Sequence, residues 1–114
     1  MNIVFFGTPQ VAADFAQRLS PEITIKACVT GQPKPQGRKQ LRTPSPVNTW
    51  AESHNIPVLH PSSLADQDFL DQITSISCDA WLVFAYGKIM PHWFLDLFPS
   101  KVINIHPSLL PLYR

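Results

Sequence analysis

Ile3-Val4-Phe5-Phe6 is an apolar run with no polar alternation, closed by Gly7. A strand with one wet face alternates, so an unbroken run ended by a turn residue reads as a strand covered on both faces, as in a parallel sheet. A second run, Asp79 to Ala85 (Asp-Ala-Trp-Leu-Val-Phe-Ala), has the same character and is closed by Tyr86-Gly87. Two strands of this kind require helices on both sides of the sheet. The rest of the chain supplies them. Val11, Phe15 and Leu19 recur at helical spacing, which predicts a helix over residues 10–19 ended by Ser20-Pro21. Ile23 to Val29 reads as a strand. Pro46 suits the first turn of a helix reaching about Ser53, with Val47, Trp50 and Ala51 on one face. Ile56 to Leu59 is a short strand. Ser62 and Ser63 are placed to cap a helix beginning near Leu64, with Phe69, Leu70 and Ile73 facing inward. Pro91 to Leu97 reads as a short helix carrying Trp93, Phe94 and Leu97, and Lys101 to Ile105 as a last strand that His106-Pro107 leaves. Strands alternating with helices at this spacing predict an α/β fold: a parallel sheet with flanking helices and right-handed crossovers.

Residues 30–46 break the rhythm. They hold Pro33, Pro35, Pro44 and Pro46 with Gly31 and Gly37, a density that predicts a long loop without regular structure. Long loops of this kind are usually functional or disordered. Five of the nine basic residues, Lys26, Lys34, Arg38, Lys39 and Arg42, fall in or beside it, and no acidic residue lies between Glu22 and Glu52. The net charge of +1 therefore hides a local cationic stretch. It reads either as a phosphate-contacting loop or as a solvated one.

At 114 residues the chain suits one domain with a real core, and 45% hydrophobic against 15% charged residues excludes a disordered composition. No apolar run approaches the ~20 residues of a membrane span. Met1 leads straight into a strand with no basic segment, which argues against a secretion signal. Cys28 and Cys78 each sit in an apolar stretch and read as reduced core residues of a cytoplasmic protein; one disulfide is the alternative that spacing leaves open. His54, His60 and His92 have no metal-ligand spacing, so no metal site is expected.

In parallel sheets ligands bind beyond the carboxyl ends of the strands, which singles out Gly7-Thr8-Pro9, Tyr86-Gly87-Lys88 and Asn104 to Pro111. The first is an ordinary tight turn or an anion-attracting helix start; Gly-x-Gly-x-x-Gly and Walker A patterns are both absent. In the third, alternation puts Asn104 and His106 on one face. A carboxamide can donate to a developing oxyanion, and an imidazole beside it can move a proton. The other reading makes Asn104 a strand-end cap and His106 a satisfied buried histidine, and spacing leaves both open. Pro107-Ser108-Leu109-Leu110-Pro111 suits a wall for a flat heterocycle or a loop packing its leucines on the core. Ser108 lacks a nucleophile-elbow setting.

Several segments carry a resemblance beyond these patterns. They are Phe6-Gly7-Thr8-Pro9, Gln32-Pro33 with Gly37-Arg38-Lys39, Pro44-Ser45-Pro46-Val47, Ile56-Pro57-Val58, Ala85-Tyr86-Gly87-Lys88-Ile89, and Ile103-Asn104-Ile105-His106-Pro107-Ser108-Leu109-Leu110-Pro111. With these, essentially the whole chain resembles the formyltetrahydrofolate-dependent formyltransferase family. The Asn-x-His-x-Ser-Leu-Leu-Pro segment is specific to that family. The Gly-Thr-Pro turn with the long basic loop is similar to the branch that acts on methionyl-tRNA.

The resemblance implies a Rossmann-like formyltransferase domain spanning 1–114, and a formyl group passed from 10-formyltetrahydrofolate to the α-amino group of methionyl-tRNA in translation initiation. It makes Asn104 and His106 catalytic. It puts Gly87, Lys88, Ile89, Met90, Ser108, Leu109, Leu110 and Pro111 against the folate, and Arg38, Lys39 and Arg42 against the tRNA. It requires no metal and no covalent enzyme intermediate. Two departures accompany it. The family's catalytic aspartate follows the Ser-Leu-Leu-Pro segment and has no counterpart before Arg114, so the 114 residues alone are expected to be nearly inactive and to expose a sheet edge open to self-association. Pro107 is closer to the glycinamide ribonucleotide branch, which keeps open an acceptor that is a small amine, glycinamide ribonucleotide or an amino sugar. A folate- or nucleotide-binding module without turnover is the non-enzymatic alternative.

Overall fold

The structure, a computed structural model, describes residues 1–39, 41–98 and 101–105. Five strands form one parallel sheet: β1 (Asn2–Phe6), β2 (Thr24–Val29), β5 (Val58–Leu59), β6 (Ala80–Phe84) and β7 (Val102–Ile105), in the order β5-β2-β1-β6-β7. The chain steps from β1 outward to β2 and β5, then returns to the other side of β1 for β6 and β7. The reversal lies between β1 and β6, where open α/β sheets place their ligand crevice.

The unbroken apolar runs are explained by what covers them. Ile3 and Phe5 of β1 and Ala80, Leu82 and Phe84 of β6 point to one face, where they meet α1 (Gln10–Gln17) and α2 (Pro46–Ser53). Val4, Phe6, Trp81 and Val83 point to the other, onto Phe69 and Ile73 of α3 (Gln67–Ser75) and Phe94 of α4 (His92–Leu95). Residues of one strand thus enter two cores alternately, so none can be polar. On the second face Phe94 lies 5.2 Å from Trp81 and 6.2 Å from Phe6. Rings of this size each contribute ~1.5–3 kcal/mol when buried.

Four sequence expectations change. The helical stripe of α1 is Ala12, Ala13 and Ala16, all buried, while Val11, Phe15 and Leu19 flank it half-buried. Small residues let the helix lie close to the sheet, and Phe15 reaches past them to stack on Phe84 at 4.5 Å. The third helix begins at Gln67, not near Leu64. Asp66 caps it, accepting from Phe69 N at 3.3 Å, whereas Ser63 Oγ holds only the preceding turn through Ala65 N. The fourth helix is shorter than 91–97. The proline-rich loop is in part regular: β3 (Lys34–Gln36) and β4 (Leu41–Thr43) pair antiparallel as a hairpin turned at Gly37, whose φ is +76°. Pro35 is tolerated because a two-stranded ribbon has two free edges, where a missing N–H costs no ladder bond.

Both cysteines are free thiols; Cys28 is buried in the first core and Cys78 packs half-buried against the second. Among the described residues no helix is long and apolar enough to cross a membrane, and no group of three or more His, Cys, Asp or Glu side chains is placed to hold a metal ion.

Candidate functional site

β1, β2 and β6 end side by side, and their loops are bound to one another. At the end of β1, Gly7 leaves no room for a side chain. A Cβ there would lie 2.8 Å from Ala12 Cβ and Phe5 Cε2 and 2.9 Å from the Phe84 carbonyl oxygen. Its N–H donates to Val29 O at 3.0 Å, closing β1 onto β2. Thr8 then bonds in three directions. Its N–H donates to Ala85 O at 3.1 Å, its hydroxyl donates to Tyr86 O at 2.6 Å, and the same hydroxyl accepts from Gly31 N at 3.1 Å.

The segment after β6 is sharply bent. Ala85 has φ +54° and Gly87 φ +92°, left-handed conformations that glycine adopts freely and alanine only under constraint. The bend brings Lys88, Ile89 and Met90 across the strand ends. Lys88 Nζ donates to the carbonyls of Pro61 and Ser62 at 2.9 and 3.3 Å, anchoring the segment to the loop after β5.

Two clefts open at this edge. One, of ≈ 500 Å³, is lined chiefly by Val83, Met90, Leu95, Val102 and Ile105, with Asn104, Ile89 and Lys88 at its margin. Asn104 is exposed and stands on β7 in register with Val83. The other, of ≈ 700 Å³, runs between the Thr8-Pro9 turn and the root of the hairpin; Lys34, Arg42 and Lys88 are its cations. Among the described residues, no acidic side chain lines either cleft. Ala85, Tyr86 and Lys88 belong to both and form the wall between them. Tyr86 is buried in that wall, its ring edge-on to Phe6 at 5.5 Å. Burial pushes its phenol up to about 12, so it is neutral at physiological pH.

Of the residues singled out from sequence, the structure gathers Asn104, Lys88, Ile89 and Met90 around the apolar cleft. Gly87 lines the cationic cleft instead. Arg42 lines the cationic cleft and donates from Nη1 to Pro33 O at 3.0 Å, while Arg38 and Lys39 stand exposed at the hairpin turn, away from both clefts. His106, Ser108, Leu109, Leu110 and Pro111 lie outside the described residues. Sequence reasoning did not single out Lys34 within its basic stretch, nor Val83, Leu95 and Val102, which look like ordinary core until the register of β6 and β7 places them at a rim. It marked the Gly7-Thr8-Pro9 turn as a tight turn or an anion-attracting helix start, and gave the Thr8 hydroxyl no part of its own.

The family model described as "Formyl transferase" matches residues 1–114. Methionyl-tRNA formyltransferases of Chlamydia abortus and Caldicellulosiruptor saccharolyticus are each 43% identical, over 100% of this chain and 36% and 38% of their own length; that of Thermus thermophilus is 39% identical over 100% and 37%. The chain thus spans little more than a third of the curated relatives it matches. Among solved structures, glycinamide ribonucleotide transformylase 1 of Geobacillus kaustophilus superposes with a TM-score of 0.67 at 21% identity, covering 99% of this chain and 61% of that one. Phosphoribosylglycinamide formyltransferase of Bacillus halodurans gives 0.65 at 20%, covering 97% and 58%. These two share the Rossmann-like fold. With the family model matched from end to end and the relatives aligned across the whole chain, the chain belongs to the formyl transferase family.

Proposed function

We propose that this chain builds the donor and acceptor clefts of an enzyme that transfers a formyl group from 10-formyltetrahydrofolate to the α-amino group of methionyl-tRNA. The observation that carries the reading is the pair of clefts sharing one wall. The apolar one, with Asn104 at its mouth, suits a flat heterocycle bearing a formyl group. The cationic one, continued by the exposed hairpin, suits the phosphates of an aminoacylated RNA end. The methionyl-tRNA formyltransferases at 39–43% identity support the same acceptor. A small amine has no need of a projecting hairpin bearing Arg38 and Lys39.

The chemistry asks little of the protein beyond placement and charge. The uncharged amine attacks the formyl carbon, and the new C–N bond pushes an electron pair onto the formyl oxygen. The Asn104 carboxamide donates to that oxyanion. Collapse breaks the bond to folate N10, which takes up the proton the amine gives away, so formyl-aminoacyl-tRNA and tetrahydrofolate balance the reactants. His106, two residues beyond Asn104, serves the proton transfer. Lys88, Ile89 and Met90 flank the donor, and the family resemblance adds Ser108, Leu109, Leu110 and Pro111 as donor-binding residues. The cysteines are free thiols and the reaction suits a reducing cytoplasm.

The test is formyl transfer by the full-length protein encoded by the gene carrying this chain, with methionyl-tRNA, glycinamide ribonucleotide and an amino sugar as acceptors. Transfer to methionyl-tRNA alone, lost in Asn104→Ala and His106→Ala, supports the reading. Preference for a small acceptor, or alanine variants as fast as the parent, overturns it.

A further inference from the structure

Thr8 lines the cationic cleft and bonds to Ala85 and Tyr86, two of the three residues that form the wall shared with the apolar one. Its partners belong to two separate loops and to the start of helix α2. Gly31 is the residue from which the hairpin segment departs after β2, and it is buried. Ala85 and Tyr86 begin the bent segment that carries Lys88 to Met90. Val47 at the start of α2 donates to Thr8 O at 3.3 Å. A hydroxyl has one proton to give and lone pairs to receive. Here the proton goes to Tyr86 O at 2.6 Å and a lone pair takes Gly31 N at 3.1 Å, so one oxygen bridges the two clefts' own backbones. The Thr8 methyl closes the remaining gap: a Cβ on Gly31 would sit 3.2 Å from Thr8 Cγ2. Ala85 keeps its left-handed φ of +54° while its carbonyl accepts from Thr8 N, so the strained bend is held by the same residue.

We infer that Thr8 is a positioning residue which fixes the distance between the acceptor cleft and the formyl-donor cleft, and so the approach of amine to formyl carbon. The inference rests on the two-cleft reading above. It predicts a defect of geometry and not of affinity. Thr8→Val keeps the shape and removes both hydroxyl bonds, so the hairpin root and the bent segment each remain able to hold their substrate but lose their registration. Misplacement on the ångström scale lowers reaction rates on the order of 10–100-fold.

The experiment is single-turnover and steady-state formyl transfer by the full-length protein, for wild type, Thr8→Val, Thr8→Ser and Gly31→Ala, with the Kd of each substrate measured separately. Thr8→Val is expected to lose roughly 10–100-fold in the chemical step, while both Kd values stay within about threefold. Thr8→Ser, which keeps the hydroxyl, is expected to restore most of the rate. If Thr8→Val does not fold, Gly31→Ala carries the test from the other end of the bond, pressing on Thr8 Cγ2 and giving the same split between rate and affinity. An active wild type whose folded variants keep the wild-type rate, or lose it through affinity alone, overturns this inference and leaves the function standing. A wild type inactive toward methionyl-tRNA overturns both.

Discussion

The apolar cleft and the cationic cleft share a wall and are made in opposite ways. Val83, Leu95, Val102 and Ile105 line the first, and three of them stand on sheet strands; Val83 is itself part of the second core, and Val102 packs against it. Its shape therefore comes with folding. The second leans on a hairpin whose six strand residues are all exposed, held by its own pairing and by the bond from Arg42 to Pro33 O. Packing defines one cleft and charge defines the other. Substitutions in the first should cost chemistry or stability. Substitutions of the hairpin cations beside the second should cost recognition, with stability untouched.

The largest effect is expected at Asn104. It is a carboxamide lining the apolar cleft and is exposed, so Asn104→Ala removes the proposed oxyanion donor without leaving a cavity. Loss of one such donor costs about 10²–10³ in kcat, whereas exposed substitutions stay within ~0.5 kcal/mol of stability. A slow variant with a normal urea midpoint sustains the contrast. Equal loss of rate and stability makes Asn104 a structural strand-end group.

Next comes the shared wall. Gly7→Ala forces a Cβ to within 2.9 Å of Phe84 O and 2.8 Å of two carbon atoms, and backbone cannot yield as a flexible side chain does. Overpacking of this kind costs about 1–3 kcal/mol in urea unfolding. An unchanged midpoint would show that the strand ends are looser than the distances state.

A comparable loss should follow alkali, again through the packed side. Burial raises the Cys28 thiol from 9.0 to about 12 and the Tyr86 phenol from 10.0 to about 12. Both ionise more readily unfolded than folded. Above pH 9 the unfolded chain therefore releases protons that the folded chain retains, and stability falls as pH rises towards 12. Between pH 8 and 10 the loss is about 1–2 kcal/mol from the two groups. Cys28→Ala should flatten most of that slope. A stability curve level to pH 10.5 in the wild type contradicts the burial of both groups.

The same contrast governs what could be read from sequence. β1 and β6 were legible because burial on both faces writes an unbroken apolar run. The start of α3 was misplaced because Ser63 and Asp66 are equally good caps on paper, and only the fold assigns Ser63 to a turn. The hairpin was hidden because four prolines suggest a loop, and the tolerance of the one inside it, Pro35, depends on a ribbon having free edges. Within the site, Asn104 was visible as a residue type in a motif. Its neighbours Val83 and Val102 were not, since pairing register across β6 and β7 is a long-range fact. The turn holding Thr8 was marked, but the part its hydroxyl plays was not, because its partners lie 23 and 78 positions away.

The smallest effect on stability, and the sharpest test of the charge-built side, concerns the hairpin. Arg38 and Lys39 are exposed at the turn, so Arg38→Ala with Lys39→Ala should shift the unfolding midpoint by no more than ~0.5 kcal/mol. Binding of methionyl-tRNA should respond differently. Each cation that meets a phosphate releases a counterion, so each one removed lowers the slope of log affinity against log salt by roughly 0.7–0.9. Arg42→Ala should do the same from the cleft itself, and none of the three changes should alter folate binding, since none of them lines the apolar cleft. A reduced salt slope with unchanged stability and unchanged folate affinity is the signature of a surface that recognises by charge alone. If the slope stays and the midpoint falls instead, the hairpin belongs to the packed structure and the division between the two clefts is wrong.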